Sequence, residues 1–511
     1  MTKTLAALIA AHPDDAQALG APGRAWLNYS GLRSLAADVA QTLHRAGIGR
    51  GDRVAIVLPN GPEMATAFLT VAQVAITAPL NPGYKEDEYA FYLDDLKAKA
   101  LIVLEGDDGP AIKAAAKLGI AILRMSFDAS GPAGTFILSG DTGLKDNDKT
   151  TPAEGDVALI LHTSGTTSRP KIVPLTQANL YASALNIRTS LALTSSDRCL
   201  SIMPLFHIHG LIAALSATMA AGGEISCAPG FNALKFFGQI KDVDPTWYTA
   251  VPTMHQAILA RSARNKDIID EARLRFLRSS SASLPAPVME ELVDTFGAPV
   301  IEAYGMTEAT HQMCSNPLPP KVQKPGSVGL AAGPEVRIAS ETDNTLLPSD
   351  ETGEIVISGP NVTLGYESNP KANAENFFVA GDQRWFRTGD QGAFDDEGYL
   401  RLTGRLKEII NRGGEKISPL EVDAKLLAHP EIAQAVCFAV PHSKLGEDIA
   451  AAVVLSEDST MTGRDIKEYA SGQLASFKVP SSIVVLEEIP KGATGKIQRI
   501  GMAQKLGLTG A

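Results

Sequence analysis

The 511-residue sequence has no Cys-x-x-Cys pair, no Lys/Arg-rich block and no apolar run near the roughly 20 residues that a membrane-crossing helix needs. Its four cysteines, Cys199, Cys227, Cys314 and Cys437, stand far apart. That spacing excludes a zinc knuckle or a disulfide frame and fits buried, reduced thiols in a cytoplasmic protein. A formal net charge of −11, with no basic block to offset it, argues against nucleic acid as a partner. An anionic substrate must therefore meet locally gathered cations. The apolar stretch from Leu5 to Ala11 is at the short limit for a signal peptide and reads better as an N-terminal helix. The last residues, Leu-Thr-Gly-Ala, are not a peroxisomal Ser-Lys-Leu address, so cytoplasm is the expectation. Also missing is the Gly-x-x-x-x-Gly-Lys-Ser/Thr phosphate loop, so any polyphosphate site must be built on another plan.

What is present is an alternation of apolar strand-like runs (54–58, 100–104, 157–161, 300–303) with helical patterns through the first 300 residues. It predicts α/β architecture with largely parallel sheets. The polar stretch 139–156 reads as a connector, and no internal repeat or low-complexity tract interrupts the pattern. The pattern changes near Gly404-Arg405-Leu406-Lys407, dividing the chain into 1–404 and 405–511. In the second part, Ser418-Pro419-Leu420-Glu421 is a capping box with proline at the first helical position. Apolar runs at 432–440, 449–455 and 483–486 then read as strands of a compact α+β unit.

The stretch 157–180 says most about chemistry. An apolar run, 157–161, breaks into six small or hydroxylated residues, Thr163 to Ser168, followed by Arg169 and Lys171. Backbone N–H groups, hydroxyls and two cations at one turn suit a polyphosphate better than a packed interior. A polar surface loop is the plainer alternative. Four more segments follow: Glu302-Ala303-Tyr304-Gly305-Met306-Thr307-Glu308-Ala309-Thr310, Trp385-Phe386-Arg387-Thr388-Gly389-Asp390, Gly404-Arg405-Leu406-Lys407-Glu408, and Pro490-Lys491-Gly492-Ala493-Thr494-Gly495-Lys496-Ile497-Gln498-Arg499. Each is weak alone.

In this order and spacing the five segments resemble the adenylate-forming superfamily: acyl-CoA synthetases, luciferases and the adenylation domains of peptide synthetases. The resemblance covers nearly the whole chain. It implies an α/β fold with a large N-terminal domain of two packed α/β sheets plus a barrel-like part, and a small mobile α+β C-terminal domain. It also implies two half-reactions using ATP, Mg²⁺ and coenzyme A: a carboxylate and ATP give an acyl-adenylate and pyrophosphate, then the CoA thiol displaces AMP. A carboxylate attacking an α-phosphate sets one anion against another, so the site must spread negative charge over the transferring group. On the family pattern, Thr163, Ser164, Gly165, Thr166, Thr167 and Lys171 cradle the β- and γ-phosphates. Thr307 bonds the α-phosphate and Glu308 holds Mg²⁺. Asp390 receives the ribose hydroxyls with Arg405 nearby, while Ala282, Ser283, Ala303 and the ring of Tyr304 frame the adenine. Lys496 bridges the reacting carboxylate and the α-phosphate. Lys407 is the hinge, and Arg412, Gly413 and Gly414 approach CoA. Two departures mark a subfamily: Ser168 and Ile172 stand where glycine is common, and Gln177 stands where histidine is common.

For the acid, the expected lining is polar: His207, Ser281, Ser283 and His311. A second carboxylate buried without partners is costly, and histidine with serine offers it charge-assisted hydrogen bonds. His209 and Ser279 read as structural. The runs 162–171, 247–253, 281–284, 308–311 and 411–419 resemble the oxalate–CoA ligase group of plants and fungi, which implies oxalyl-CoA as product. Malonate or a medium-chain acid is the alternative within the class. A catalytically silent nucleotide-binding or scaffold protein is a third reading, against which Lys171, Glu308, Asp390, Arg405 and Lys496 together speak. A peptide-synthetase module is disfavoured because little sequence follows Lys496.

Overall fold

A computed structural model describes residues 2–140, 148–163, 170–457, 459–490 and 497–508. The expected Ser164, Gly165, Thr166, Thr167 and Lys496 lie outside the described residues, as do Ser168 and Arg169.

Four sheets are formed among the described residues. The first has seven strands in the order Ile137–Ser139, Ala121–Ser126, Ala100–Leu104, Arg53–Ile56, Ile76–Pro79, Val157–Thr163 and Lys171–Thr176. Its inner strands are parallel, and one antiparallel strand closes each edge. The run 157–161 is almost wholly buried, as its composition predicts, because helices cover both faces of a parallel sheet. The second sheet has nine strands. Its parallel centre runs Val300–Met306, Phe276–Ser280, Trp247–Ala250, Arg198–Ser201, Glu224–Cys227 and Gln17–Gly20, with His311–Ser315 antiparallel beyond Val300–Met306.

One large apolar cluster joins these two sheets. The helix Pro62–Val71 packs its apolar residues into it and is buried at every position, with the Thr66 and Thr70 hydroxyls satisfied by the carbonyls of Gly134 and Thr66. The four cysteines are free and buried, as expected. The N-terminal helix is present as Leu5–Ala10, capped by the Thr4 hydroxyl. Gln177 ties that helix down: its Oε1 accepts from the Leu5 N–H at 3.0 Å and its Nε2 donates to Ala72 O at 2.6 Å. The departure at Gln177 is thus a structural bolt.

The third sheet is antiparallel, barrel-like and six-stranded, built around Gly353–Ser358 and Gln383–Phe394 with Leu400–Arg405 paired to the latter. The chain leaves it at Arg405 and enters the fourth sheet at Ile410–Arg412. There Ile432–His442 and Gly446–Leu455 pair antiparallel, and Ser482–Val485 joins the second of them in parallel. The helix Pro419–Leu427 starts where the capping box places it, the Ser418 Oγ accepting from the Glu421 N–H at 3.2 Å. No described helix is long and apolar enough to cross a membrane.

Candidate active site

Residues from both large sheets and from the third sheet meet at the C-terminal ends of parallel strands, where open α/β sheets place their ligands. Val157–Thr163 delivers Thr163 directly opposite Lys171, the first residue of the neighbouring antiparallel strand. The connection between them is the loop expected to hold phosphates. The Lys171 Nζ sits 4.3 Å above the centre of the Tyr366 ring. The Tyr366 hydroxyl in turn donates to Glu308 Oε1 at 2.8 Å. Glu308 is buried in a single 3₁₀ turn, Thr307–Ala309, that follows Val300–Met306 directly. Burial pushes its carboxyl above the usual range, while Tyr366, Lys171 and Arg405 pull the other way. Burial likewise lowers Lys171, with Glu308 opposing it. Cation, phenol and carboxylate therefore form one coupled group. Tyr366 escaped the sequence reading because nothing in the loop around it signals proximity to Glu308.

A second group is linked to the first through Arg405, which acts electrostatically on Glu308. Asp390 and Arg405 are register partners on adjacent strands, Arg405 Nε standing 3.4 Å from Asp390 Oδ1. The Tyr304 hydroxyl donates to the other Asp390 oxygen. Burial raises the Asp390 carboxyl, and Arg405 and Tyr304 counteract it. Ala303 is buried beside Tyr304, its carbonyl accepting from the Ser280 hydroxyl at 2.8 Å. Ala282 and Ser283 are exposed in the loop after Phe276–Ser280. Lys407 lies exposed just past Arg405, within electrostatic reach of Lys171.

Among the residues expected to meet the acid, His311 is buried with its ring centre 5.1 Å from that of His209. Ser281 has a positive φ of 74° and its hydroxyl lies 3.0 Å from His209 Nδ1. His207 is half-buried against Phe206. His209 Nε2 lies 2.6 Å from the Thr249 hydroxyl. Behind it stands a residue the sequence reading passed over: Arg278, wholly buried, its Nη1 within 3.4 Å of both Thr249 Oγ1 and His209 Nε2. Gly305 brings this group together. A Cβ there would fall 1.9 Å from the His311 carbonyl oxygen, so only glycine lets the two strands close.

The hairpin Ile410–Arg412 to Glu415–Ile417 turns on Gly413 and Gly414, both at positive φ. Its Arg412 is held within the small unit, with Nε 2.7 Å from Asp448 Oδ1 and Nη1 donating to Phe477 O. The backbone of the two glycines, more than the guanidinium, is what this hairpin presents.

The sequence profile of the "AMP-binding enzyme" family matches residues 5–367, and that of the "AMP-binding enzyme C-terminal domain" matches 421–496. The chain belongs to the AMP-binding enzyme family. It is 46% identical over 496 residues to an oxalate–CoA ligase of Arabidopsis thaliana, covering 96% of this chain and 95% of that protein. It is 45% identical over 478 residues to an oxalate–CoA ligase of Saccharomyces cerevisiae, covering 89% and 87%. Among solved structures it superposes on ATP-bound MatB from Rhodopseudomonas palustris with a TM-score of 0.88 and 28% identity, over 99% of both chains.

Among the described residues no group of three or more His, Cys, Asp or Glu could hold a metal ion. Glu308 stands as a single buried carboxylate with one oxygen engaged by Tyr366. That donor set fits a magnesium ion held chiefly by nucleotide phosphates and water, with one protein carboxylate, and does not fit a resident metal centre.

Proposed function

We propose that this AMP-binding enzyme is an ATP-dependent acid–CoA ligase whose acid is oxalate. The observation that carries the acid assignment is the polar end of the site, where Ser281, just past the parallel strand Phe276–Ser280, meets His209, and His209 packs against His311. Its likeness to two oxalate–CoA ligases over most of their length supports the same reading.

In the first half-reaction an oxalate oxygen attacks the α-phosphorus, the bond to pyrophosphate breaks, and the acyl-adenylate forms. Thr163, the loop after it and Lys171 would hold the outer phosphates, and Thr307 would bond the α-phosphate. Lys496 would bridge the attacking carboxylate and the α-phosphate. Asp390 would accept the ribose hydroxyls, with Tyr304 and Arg405 fixing its orientation from either side. Glu308 would hold Mg²⁺, which supplies charge neutralisation to the phosphates when bound. In the second half-reaction the CoA sulfur attacks the acyl carbon, AMP leaves with the bonding electrons, and the thiol proton passes to solvent. The unit from 405 onward would turn about Lys407 between the steps and present Gly413 and Gly414 to pantetheine. The reduced, buried cysteines support a cytoplasmic setting.

The test is a panel of acids. AMP release dependent on both ATP and CoA is expected to be far faster with oxalate than with malonate, acetate, octanoate or 4-coumarate, and a preference for octanoate overturns the assignment. His311→Ala is expected to abolish oxalate turnover while ATP binding persists. Unchanged oxalate kinetics in that variant would remove His311 from the acid site.

A further inference from the structure

Arg278 occupies the middle of the strand Phe276–Ser280, in the parallel centre of the second sheet, and none of its surface reaches solvent. Among the described residues no carboxylate pairs with it. Its neighbours are neutral acceptors: His209 Nε2 and Thr249 Oγ1, both at 3.4 Å from Nη1, and Gln312 Oε1 at 3.3 Å from Nη2. Its Nε has no hydrogen-bond partner. Burying a guanidinium in this way opposes folding, and a hydrophobic side chain of similar volume would serve the core better. Burial also pulls its pKa down to about 9, a measure of the same cost. A purely structural role leaves that cost unexplained.

The geometry gives the charge a use. A guanidinium only donates hydrogen bonds, so the contacts from Arg278 Nη1 favour Thr249 Oγ1 and His209 Nε2 as acceptors. The Thr249 hydroxyl proton then points to Nε2 across 2.6 Å. With Nε2 accepting, the proton of a neutral His209 ring must sit on Nδ1, which faces the Ser281 Oγ at 3.0 Å. Ser281 thereby receives a hydrogen bond, and its own hydroxyl proton is left to donate elsewhere. Ser281 is the partly exposed member of this series, the other three being buried. Its positive φ of 74°, uncommon for a residue other than glycine, holds the hydroxyl in that position.

We propose that Arg278 is a positioning and specificity-determining residue: acting through Thr249 and His209, it sets Ser281 as a hydrogen-bond donor to the acid and places a fixed positive charge behind the pocket that favours a second carboxylate. This deepens, and rests on, the assignment of the site to a small dicarboxylate. Gln312 extends the arrangement to the strand that carries His311. It accepts from Arg278 and donates to Ser190 Oγ at 2.8 Å and Ala332 O at 3.1 Å, so the guanidinium is held between the strands Trp247–Ala250 and His311–Ser315. An acid with one carboxylate has no second charge for Arg278 to favour.

The test compares oxalate with glycolate, which keeps one carboxylate and replaces the other with a hydroxymethyl group. In Arg278→Met, kcat/KM for oxalate is expected to fall roughly ten- to hundred-fold and that for glycolate less than three-fold, so the preference collapses. Arg278→Lys is expected to recover part of it. The melting temperature of Arg278→Met should hold or rise, since an uncompensated buried charge is gone. A lowered melting temperature with an unchanged oxalate-to-glycolate ratio would show a structural bolt and overturn the proposal. If Arg278→Met does not fold, Thr249→Val breaks the same chain and must reduce the ratio; an unchanged ratio there also overturns it. The tautomer supplies a readout independent of substrate. In ¹⁵N-histidine-labelled enzyme the resonance lost in His209→Gln should carry the signature of a proton on Nδ1, and a proton on Nε2 would sink the relay. A wild-type enzyme that ignores oxalate, yet shows the Nδ1 proton, fails the proposed function and leaves the relay standing.

Discussion

Glu302 is buried beneath the loop that carries Ser281 to Leu284, its Oε1 accepting from the Leu284 N–H at 2.9 Å. Burial pushes its carboxyl up to about 8 from an ordinary 4.5. The folded state therefore keeps a proton that the unfolded state loses, and unfolding between those two values releases it. The stability contributed by this group is fully present below pH 4.5 and declines as pH rises toward 8, at most by about 1.4 kcal/mol per pH unit. Glu302→Gln keeps the shape and cannot ionise, so urea unfolding of the two proteins at pH 6 and pH 8.5 should show the variant gaining on the wild type at the higher pH. Gly305→Ala makes the opposite kind of change. The added methyl meets the His311 carbonyl, and overpacking of this order typically costs about 1–3 kcal/mol. A lower denaturation midpoint should accompany loss of acid turnover, because the strand that moves carries His311. Residues of this kind are unevenly legible in sequence. Glu308 and Asp390 sit in patterned segments, whereas Arg278 looks like any strand arginine bound for solvent. Only the parallel sheet on both sides of it reveals that it has nowhere to go.

At the level of elements, strands were readable where apolar runs are continuous, because parallel strands covered on both faces carry no polar alternation. The runs beginning near 54, 100, 157 and 300 all became strands. Which strands would neighbour one another was not readable, since sheet order depends on crossovers that no local pattern encodes. The loop that brings Tyr366 to Glu308 is an example: it follows the third sheet's Gly353–Ser358 and returns to the first, where the Glu367 N–H donates to Ile172 O at 3.1 Å. That contact gives the departure at Ile172 a local setting, a buried side chain beside a backbone junction. The same loop yields a prediction. Tyr366→Phe removes one donor to Glu308 and leaves the ring under Lys171, so adenylate formation should slow by about ten-fold, the worth of one hydrogen bond to a charged group. Pyrophosphate release as a function of ATP concentration would measure it, and an unchanged rate would exclude Tyr366 from the group.

At the scale of the whole molecule, the described residues after Arg405 meet the larger part in several polar contacts, among them the Leu406 N–H donating to Gly389 O at 2.9 Å. Lys416 pairs with Glu341 at a largely exposed site, Gln256 Nε2 donates to Ala433 O at 3.4 Å, and Ser418 donates to Thr403 O beside the crossing point. An exposed ion pair contributes about 0–1 kcal/mol, so it biases a position without locking it. Glu341→Gln is expected to change the ratio of adenylate formation to thioester formation by no more than about five-fold. Parallel assays of pyrophosphate release and CoA-dependent AMP release would show it. A loss of both activities would mean that the pair supports folding and not a movable arrangement.

The burial of all four cysteines has a practical consequence for testing the proposed movement about Lys407. Cys199, Cys227, Cys314 and Cys437 are enclosed, and burial raises every one of their thiols, so the nucleophilic thiolate is scarce at neutral pH. Maleimide dyes should pass the native chain by. New cysteines at exposed positions, such as Leu234 in the larger part and Val485 in the smaller, would then take a fluorophore pair without any prior removal of native thiols. The wild-type fold is in this sense already a silent background for single-molecule distance measurements through a complete turnover.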